Sequence, residues 1–299
     1  MSDQLLIAEQ PDLSNALMIA AWSGWSDAGE SATRALHHLT QELNSTKFAE
    51  IDAEEFYIFT EERPFVENAP EGGRRLVWPK NEFFYLKSED EAVPDVVFFI
   101  GTEPHLRWRT YTTLVADIAN ATNVEMLVTV GALLDEVPHT RSAVVMSTTV
   151  HEDLGDRYNH VKYGRPNYEG PSGMTSATID ACARRGIMSV SIWGHAPRYL
   201  QGAQNPAITL AIIEEIERFA NISVNKDALE SEAEDFTTRV DYALRNTPKA
   251  VDYVRTLEEK YDSELDVAAD PEPAAMIDEL DEFLRTRTTD DDEETRLQG

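Results

Sequence analysis

Four short stretches gather side chains that can move protons or hold charge. GTEPHLRW (101–108) places Glu103, His105 and Arg107 close together, and DEVPHTR (135–141) holds Asp135, Glu136, His139, Thr140 and Arg141. GHAPRYL (194–200) adds His195 and Arg198, and SGWSDAGE (23–30) adds Ser26 and Asp27. A carboxylate, an imidazole and a guanidinium in one place can serve general acid–base chemistry. Each stretch also has a structural reading. Ser26 or Asp27 suits the N-cap of the next helix, a role every helix start requires. Glu103 can pair with Arg107, and DEVPHTR can be a hydrogen-bonded loop fixing two strands. Trp22 and Trp25 read as packing residues.

A fifth stretch, EGPSGM (169–174), has Gly170, Ser172 and Gly173 at a helix entrance, where backbone N–H groups can cradle an anion. It lacks the spacings GxGxxG and GxxxxGK[ST], so nucleotide binding is not supported. VHEDLGDRYNH (150–160) supplies His151, Glu152, Asp153, Asp156 and His160 without an HExxH helix, so an exposed polar loop is favoured over zinc. No GxSxG elbow is present, and the single Cys182 falls inside a helical pattern, which fits a packed thiol. No catalytic constellation is complete. The reading therefore leans away from an enzyme, and neither a metal nor a cofactor is expected.

The elements around these motifs explain their positions. ALMIAAW (16–22), DVVFFIG (95–101), MLVTVGALL (126–134), AVVMSTTV (143–150) and IMSVSIW (187–193) are apolar runs of strand length. FYIF (56–59) and EFFYLK (82–87) are shorter strand candidates. Helical patterns cover Ala28–Leu43, Tyr111–Ala121, Ser172–Arg185 and Pro206–Ala220, the last with proline in its first turn. Apolar runs alternating with helices predict an α/β protein, a three-layer α/β/α sandwich with a mostly parallel sheet. In such sheets ligands bind outside the carboxyl ends of the strands. Asp27, Glu103, Arg107, Asp135, His139, Arg141, His195 and Arg198 all follow strands, so they form one candidate rim site.

Residues 1–225 form this core. A helical hairpin is expected over 226–262, with Pro248 between its arms. Residues 263–299 read as an acidic tail with one short helix, Met276–Leu284, and a disordered end, TTDDDEETRLQG.

The 299 residues carry 26 Lys+Arg against 55 Asp+Glu, a net charge of −29. Residues 262–299 hold fourteen acids and three arginines, a net of −11, which leaves −18 for residues 1–261. Such a surface repels nucleic acid and anionic membranes. No secretory signal opens the chain and no apolar run reaches the ~20 residues of a membrane span, so a cytoplasmic location is expected.

Taken together, WSGWSDAGESA (22–32), GTEPHLRW, GALLDEVPHTR (131–141), YEGPSGM (168–174) and SIWGHAPRYL with NPAITLAII (191–213) resemble the bacterial branch of the proteasome assembly chaperone 2 family. The pieces are collinear over residues 16–220. The family pattern commonly has His where this chain has Arg198. The resemblance implies a phosphorylase/hydrolase-like core, helices at the C-terminal end, and self-association, with a trimer as the stoichiometry it suggests. Eukaryotic relatives pair α-type proteasome subunits. The ATP-grasp-like label sometimes given to bacterial members finds no nucleotide-binding lysine or metal-binding carboxylate set here.

The expected function is protein binding or assembly, as a homo-oligomer, with a proteasome-related or protease-associated ATPase partner. The alternative is an enzyme or small-molecule binder at the carboxyl ends of the parallel strands. Trp25, Trp108, Trp193 and Tyr199 are the contact candidates if the motifs build an oligomer interface.

Overall fold

The computed structural model describes residues 4–69, 72–90, 92–164 and 169–269. In chain order the elements begin β1 (Leu5–Ile7), β2 (Ala16–Ser23), α1 (Ser31–Glu42), β3 (Thr46–Ile51), β4 (Phe65–Asn68) and β5 (Arg74–Val77). They continue with β6 (Glu82–Leu86), β7 (Val96–Thr102), α2 (Trp108–Ala121), β8 (Val124–Asp135), β9 (Val144–Thr149) and α3 (Glu152–Arg157). The last are β10 (Lys162–Tyr163), α4 (Met174–Ala183), β11 (Met188–Pro197), α5 (Pro206–Ala220), α6 (Asp227–Leu244) and α7 (Pro248–Ala269).

The main sheet has nine strands in the order β1-β3-β6-β7-β2-β8-β11-β9-β10. Its four long central strands, β7, β2, β8 and β11, are all parallel. Antiparallel pairings flank them, through β6 on one side and β9 on the other. The parallel sheet expected from the apolar runs is this central block. Its strands are apolar on successive residues because both faces are covered. Met18, Ala20 and Trp22 of β2 pack with Tyr111, Val115 and Ile118 of α2 and with Met174 and Cys182 of α4. The alternate residues Leu17, Ile19 and Ala21 pack with Leu36 and Leu39 of α1 and with Ile208, Ile212 and Ile216 of α5. Three layers result, as the alternation of strands and helices predicts.

Local chemistry sets the helix starts. In α5 the Asn205 side chain accepts from the N–H groups of Ala207 (3.2 Å) and Ile208 (3.4 Å), with Pro206 in the first turn. The helix expected from Ala28 begins at Ser31, after a 3-10 turn at Ala28–Glu30. That turn places Gly29 at φ 63°, with Ala203 O where a side chain would stand, so only glycine fits. The helix expected from Ser172 begins at Met174.

FYIF is not a strand. Phe56 is buried in a turn whose carbonyl accepts the N–H groups of His105 and Leu106 (2.9 and 3.0 Å). The Tyr57 hydroxyl, also buried there, donates to Asn81 Oδ1 or Thr102 O, each at 2.7 Å. These residues are apolar because the loop plugs the core. The hairpin β4–β5, a separate two-stranded sheet, has no counterpart in the sequence reading.

The first compact unit runs from Met1 to Val240 and the second from Asp241 to Gly299. Helices α6 and α7 occupy the stretch read as a helical hairpin, with α7 continuing to Ala269. The short helix at Met276–Leu284 and the acidic end lie outside the described residues.

Candidate functional site

The four polar motifs do share one rim. Strands β7, β2, β8 and β11 lie side by side and point the same way, so Glu103 and Asp27 follow, and Asp135 and His195 sit within the last residues of, adjacent strands. Backbone bonds tie the loops together. Glu103 N–H donates to Ser23 O (2.9 Å), and Ala132 N–H donates to Ser26 O (2.8 Å).

Asp27 is buried, with 6% of its surface exposed. Its carboxylate accepts from the N–H of Ala32 (2.7 Å) and of Thr33 (3.4 Å), and from the Thr33 hydroxyl. It therefore caps α1 from across the 3-10 turn, the structural role weighed from sequence. Burial raises its pKa to about 6, against the lowering by these hydrogen bonds.

Glu103 is half-buried, and its Oε2 accepts from the Trp25 N–H (3.2 Å). Burial raises its pKa, while that hydrogen bond and nearby His105 oppose the shift. Arg107 does not pair with Glu103. It turns to Glu55, which comes from a segment 52 residues earlier. Trp22 packs as expected, but Trp25 is 68% exposed, because Gly24 at φ 127° turns the chain outward there. Gly173 lies against this loop, with its missing side-chain position 2.5 Å from Ser26 Oγ and 3.3 Å from the Trp25 ring. The Ser26 hydroxyl is buried with no hydrogen-bond partner among the described residues. Gly170 and Ser172 are exposed on the same loop into α4, and Ser172 Oγ donates to Gly173 O (3.4 Å).

At the other end of the rim, β8 and β11 run in register to their last residues, with His195 opposite Leu133 and Pro197 opposite Asp135. His195 Nδ1 lies 2.7 Å from Asp135 Oδ2. The carboxylate fixes the ring, so that Nδ1 carries the proton in the neutral form and Nε2 is the basic nitrogen. The Tyr199 hydroxyl accepts from the His139 N–H (2.8 Å) and lies 2.5 Å from its Nδ1. Arg198 donates to Leu134 O (3.1 Å), so it braces the end of β8 where the family pattern has an imidazole. His139, Arg141, His195, Asn205 and Phe236 line a cavity of about 20 Å³, room for roughly one water molecule.

The eight rim candidates thus divide. Asp135, His139, Arg141, His195 and Arg198 cluster at the β8 and β11 ends, Asp27 is consumed in helix capping, Glu103 holds the Trp25 loop, and Arg107 leaves for Glu55. Sequence reasoning missed Tyr199 as the partner of His139 and Asn205 as a cavity wall. It also missed a buried carboxylate. Glu215 of α5 is 6% exposed and is held by the Ser147 hydroxyl and by Arg218 (2.8 Å), with His160 Nε2 3.5 Å away. The two successive glutamates in AIIEEIERF, one of them on the apolar face of α5, were its signal. His160 packs against Phe219 (5.0 Å between ring centroids) rather than lying in an exposed loop. Among the described residues no group of three or more His, Cys, Asp or Glu could hold a metal ion.

The PAC2 family model matches residues 21–244 of the chain. A PAC2 family protein from Streptomyces avermitilis is 32% identical, with 80% of this chain and 99% of that one aligned at a TM-score of 0.72. A proteasome-assembly chaperone homologue from Mycobacterium tuberculosis is 29% identical, over 80% of this chain and 99% of that one, at a TM-score of 0.69. The archaeal proteasome activator PbaB from Pyrococcus furiosus shares the fold at 21% identity, over 80% and 97% of the two chains, with a TM-score of 0.64. No curated protein matches the chain in sequence.

Proposed function

The chain belongs to the PAC2 family, and from that membership we propose that it is a cytoplasmic assembly factor that docks a proteasome-related protein on the rim formed by β7, β2, β8 and β11. The observation that supports this reading is the Trp25 loop. A tryptophan 68% exposed, braced from behind by Gly173 and held by Glu103 through its own N–H, is a rigid apolar anchor. Buried aromatic anchors dominate protein interfaces. The cavity of about 20 Å³ at the other end of the rim is sized for water rather than a substrate. The names of the relatives point the same way, toward proteasome assembly and activation.

The test is binding of the purified chain to α-type proteasome subunits, or to a protease-associated ATPase, of the same organism. Wild type is expected to bind in biolayer interferometry. Trp25→Ala is expected to lose at least tenfold in affinity while keeping its circular dichroism spectrum. Equal binding by both proteins, or none by wild type, refutes the rim as the docking face.

A second reading rests on the Asp135–His195 pair, a base oriented by a carboxylate beside His139 and Arg141. On that reading the rim takes a small acidic ligand at the carboxyl ends of the strands. Ligand-dependent shifts of the His195 ring resonances, abolished in Asp135→Asn, would support it. Histidine resonances that stay fixed across a library of small carboxylates and phosphates would remove it.

A further inference from the structure

Helix α4 begins without a cap of its own. Its N-cap residue is Gly173, which has no side chain to offer an oxygen to the first turn. Ser172 does not replace it, because its exposed hydroxyl donates to Gly173 O (3.4 Å). The first bond of the helical ladder runs from the Ala177 N–H to Gly173 O (3.3 Å). The N–H groups of Met174, Thr175 and Ser176 come before that ladder, and no acceptor among the described residues meets them. This helix end is buried: Gly173 is covered, and Met174 and Thr175 are 0% and 4% exposed. Buried N–H groups in folded proteins almost always have an acceptor, so a helix start of this kind calls for one.

A second polar group waits at the same place. Ser26, from the loop after β2, is 5% exposed. Its Oγ lies 2.5 Å from the position that a side chain on Gly173 would take, and it makes no hydrogen bond among the described residues. It is therefore a buried donor aimed at the helix start from a distant part of the sequence. The Trp25 ring, 3.3 Å from the same position, walls one side. Any side chain at residue 173 would fill this cradle, and glycine leaves it open.

We propose that the start of α4 binds a carboxylate group, held by the N–H groups of its first turn and by the Ser26 hydroxyl. A helix N-terminus favours an anion through its unpaired donors and its dipole. A carboxylate only accepts, and its two oxygens can take a backbone N–H and a hydroxyl together. The surrounding charge selects it over phosphate. Every donor here is neutral. Glu103 accepts from the Trp25 N–H at 3.2 Å, and Glu169 lies four residues before Gly173, so acids flank the loop on both sides. A dianion would meet twice the repulsion of a single charge, with no lysine or arginine among the donors to offset it. The site shares Trp25 with the docking rim, but a free carboxylate needs no protein partner. The site can therefore exist whether or not the rim docks a protein.

Backbone amide spectra of the deuterated full chain test it, titrated with sodium acetate, with N-acetyl-dialanine and with its C-terminal amide, at constant ionic strength. The amides of Met174, Thr175 and Ser176 and the Trp25 indole are expected to shift saturably with both carboxylates and to stay fixed with the amide. Inorganic phosphate is expected to bind at least tenfold more weakly than acetate. Ser26→Ala is expected to raise the acetate dissociation constant at least fivefold while the rest of the spectrum keeps its native dispersion. The two carboxylates separate the sources. A peptide that binds at least tenfold tighter than acetate supports the site as one for a chain end, and equal affinities support it as one for a small free acid. Shifts that chloride reproduces, or that only the His195 ring shows, overturn the proposal. So do phosphate binding tighter than acetate, equal affinity in a folded Ser26→Ala protein, and α4 amides that no carboxylate moves.

Discussion

Replacing Asp27 by asparagine should reverse its effect on stability between acid and neutral pH. Its carboxyl group is buried, and burial raises the pKa from 3.8 to about 6 in the folded protein. A folded pKa above the unfolded value means that the protonated form fits the fold better. The contribution of Asp27 to stability is therefore greatest below pH 3.8 and is lost as pH rises through 6. Two pKa units correspond to about 3 kcal/mol at pH 7.5, and at pH 4 the loss is still below about 1 kcal/mol. Asparagine keeps the oxygen that accepts from Ala32 and carries no charge. Its amide cannot accept from the Thr33 N–H, a loss of about 1 kcal/mol. The net expectation is a variant about 2 kcal/mol more stable than wild type at pH 7.5, and slightly less stable at pH 4. Urea unfolding followed by circular dichroism at half-unit pH steps reads both curves. They should cross. Parallel curves, or a variant weaker than wild type across the range, would show that the buried charge carries no penalty and would refute the reasoning.

Gly173→Ala should destabilise by about 1–3 kcal/mol, because the new methyl would meet Ser26 Oγ at 2.5 Å. Ser26→Ala removes an unpartnered hydroxyl, so it should cost little alone and restore part of the loss in the double variant, as read by thermal denaturation. Cys182 should stay unreactive toward a thiol reagent at pH 8 until the protein unfolds, since burial pushes its thiol up to about 11. Rapid labelling of the native protein would contradict that placement.

How far the sequence carries depends on what each residue answers to. The runs in β2, β7, β8 and β11 are readable because strands covered on both faces need apolar residues at every position, and the motifs after them follow from the parallel direction. Strand β3, TKFAEI, is paired on both sides but mixes charged and apolar residues, so periodicity conceals it. FYIF misleads for the opposite reason, since its apolar residues serve a buried turn. The hairpin is invisible because its apolar residues face solvent, which no burial pattern anticipates. Within the site, Asp27 as a cap follows from local spacing. Arg107 with Glu55 and His139 with Tyr199 join positions 52 and 60 residues apart, and only the folded chain brings them together.

The main sheet ends in β1 and β10, strands of three and two residues. Each of these two strands is itself too short a template for another strand to extend. An assembly factor of the kind proposed would work among exposed strand edges, where a long open border would recruit subunits at random. Such short end strands work against edge-to-edge polymerisation of the main sheet.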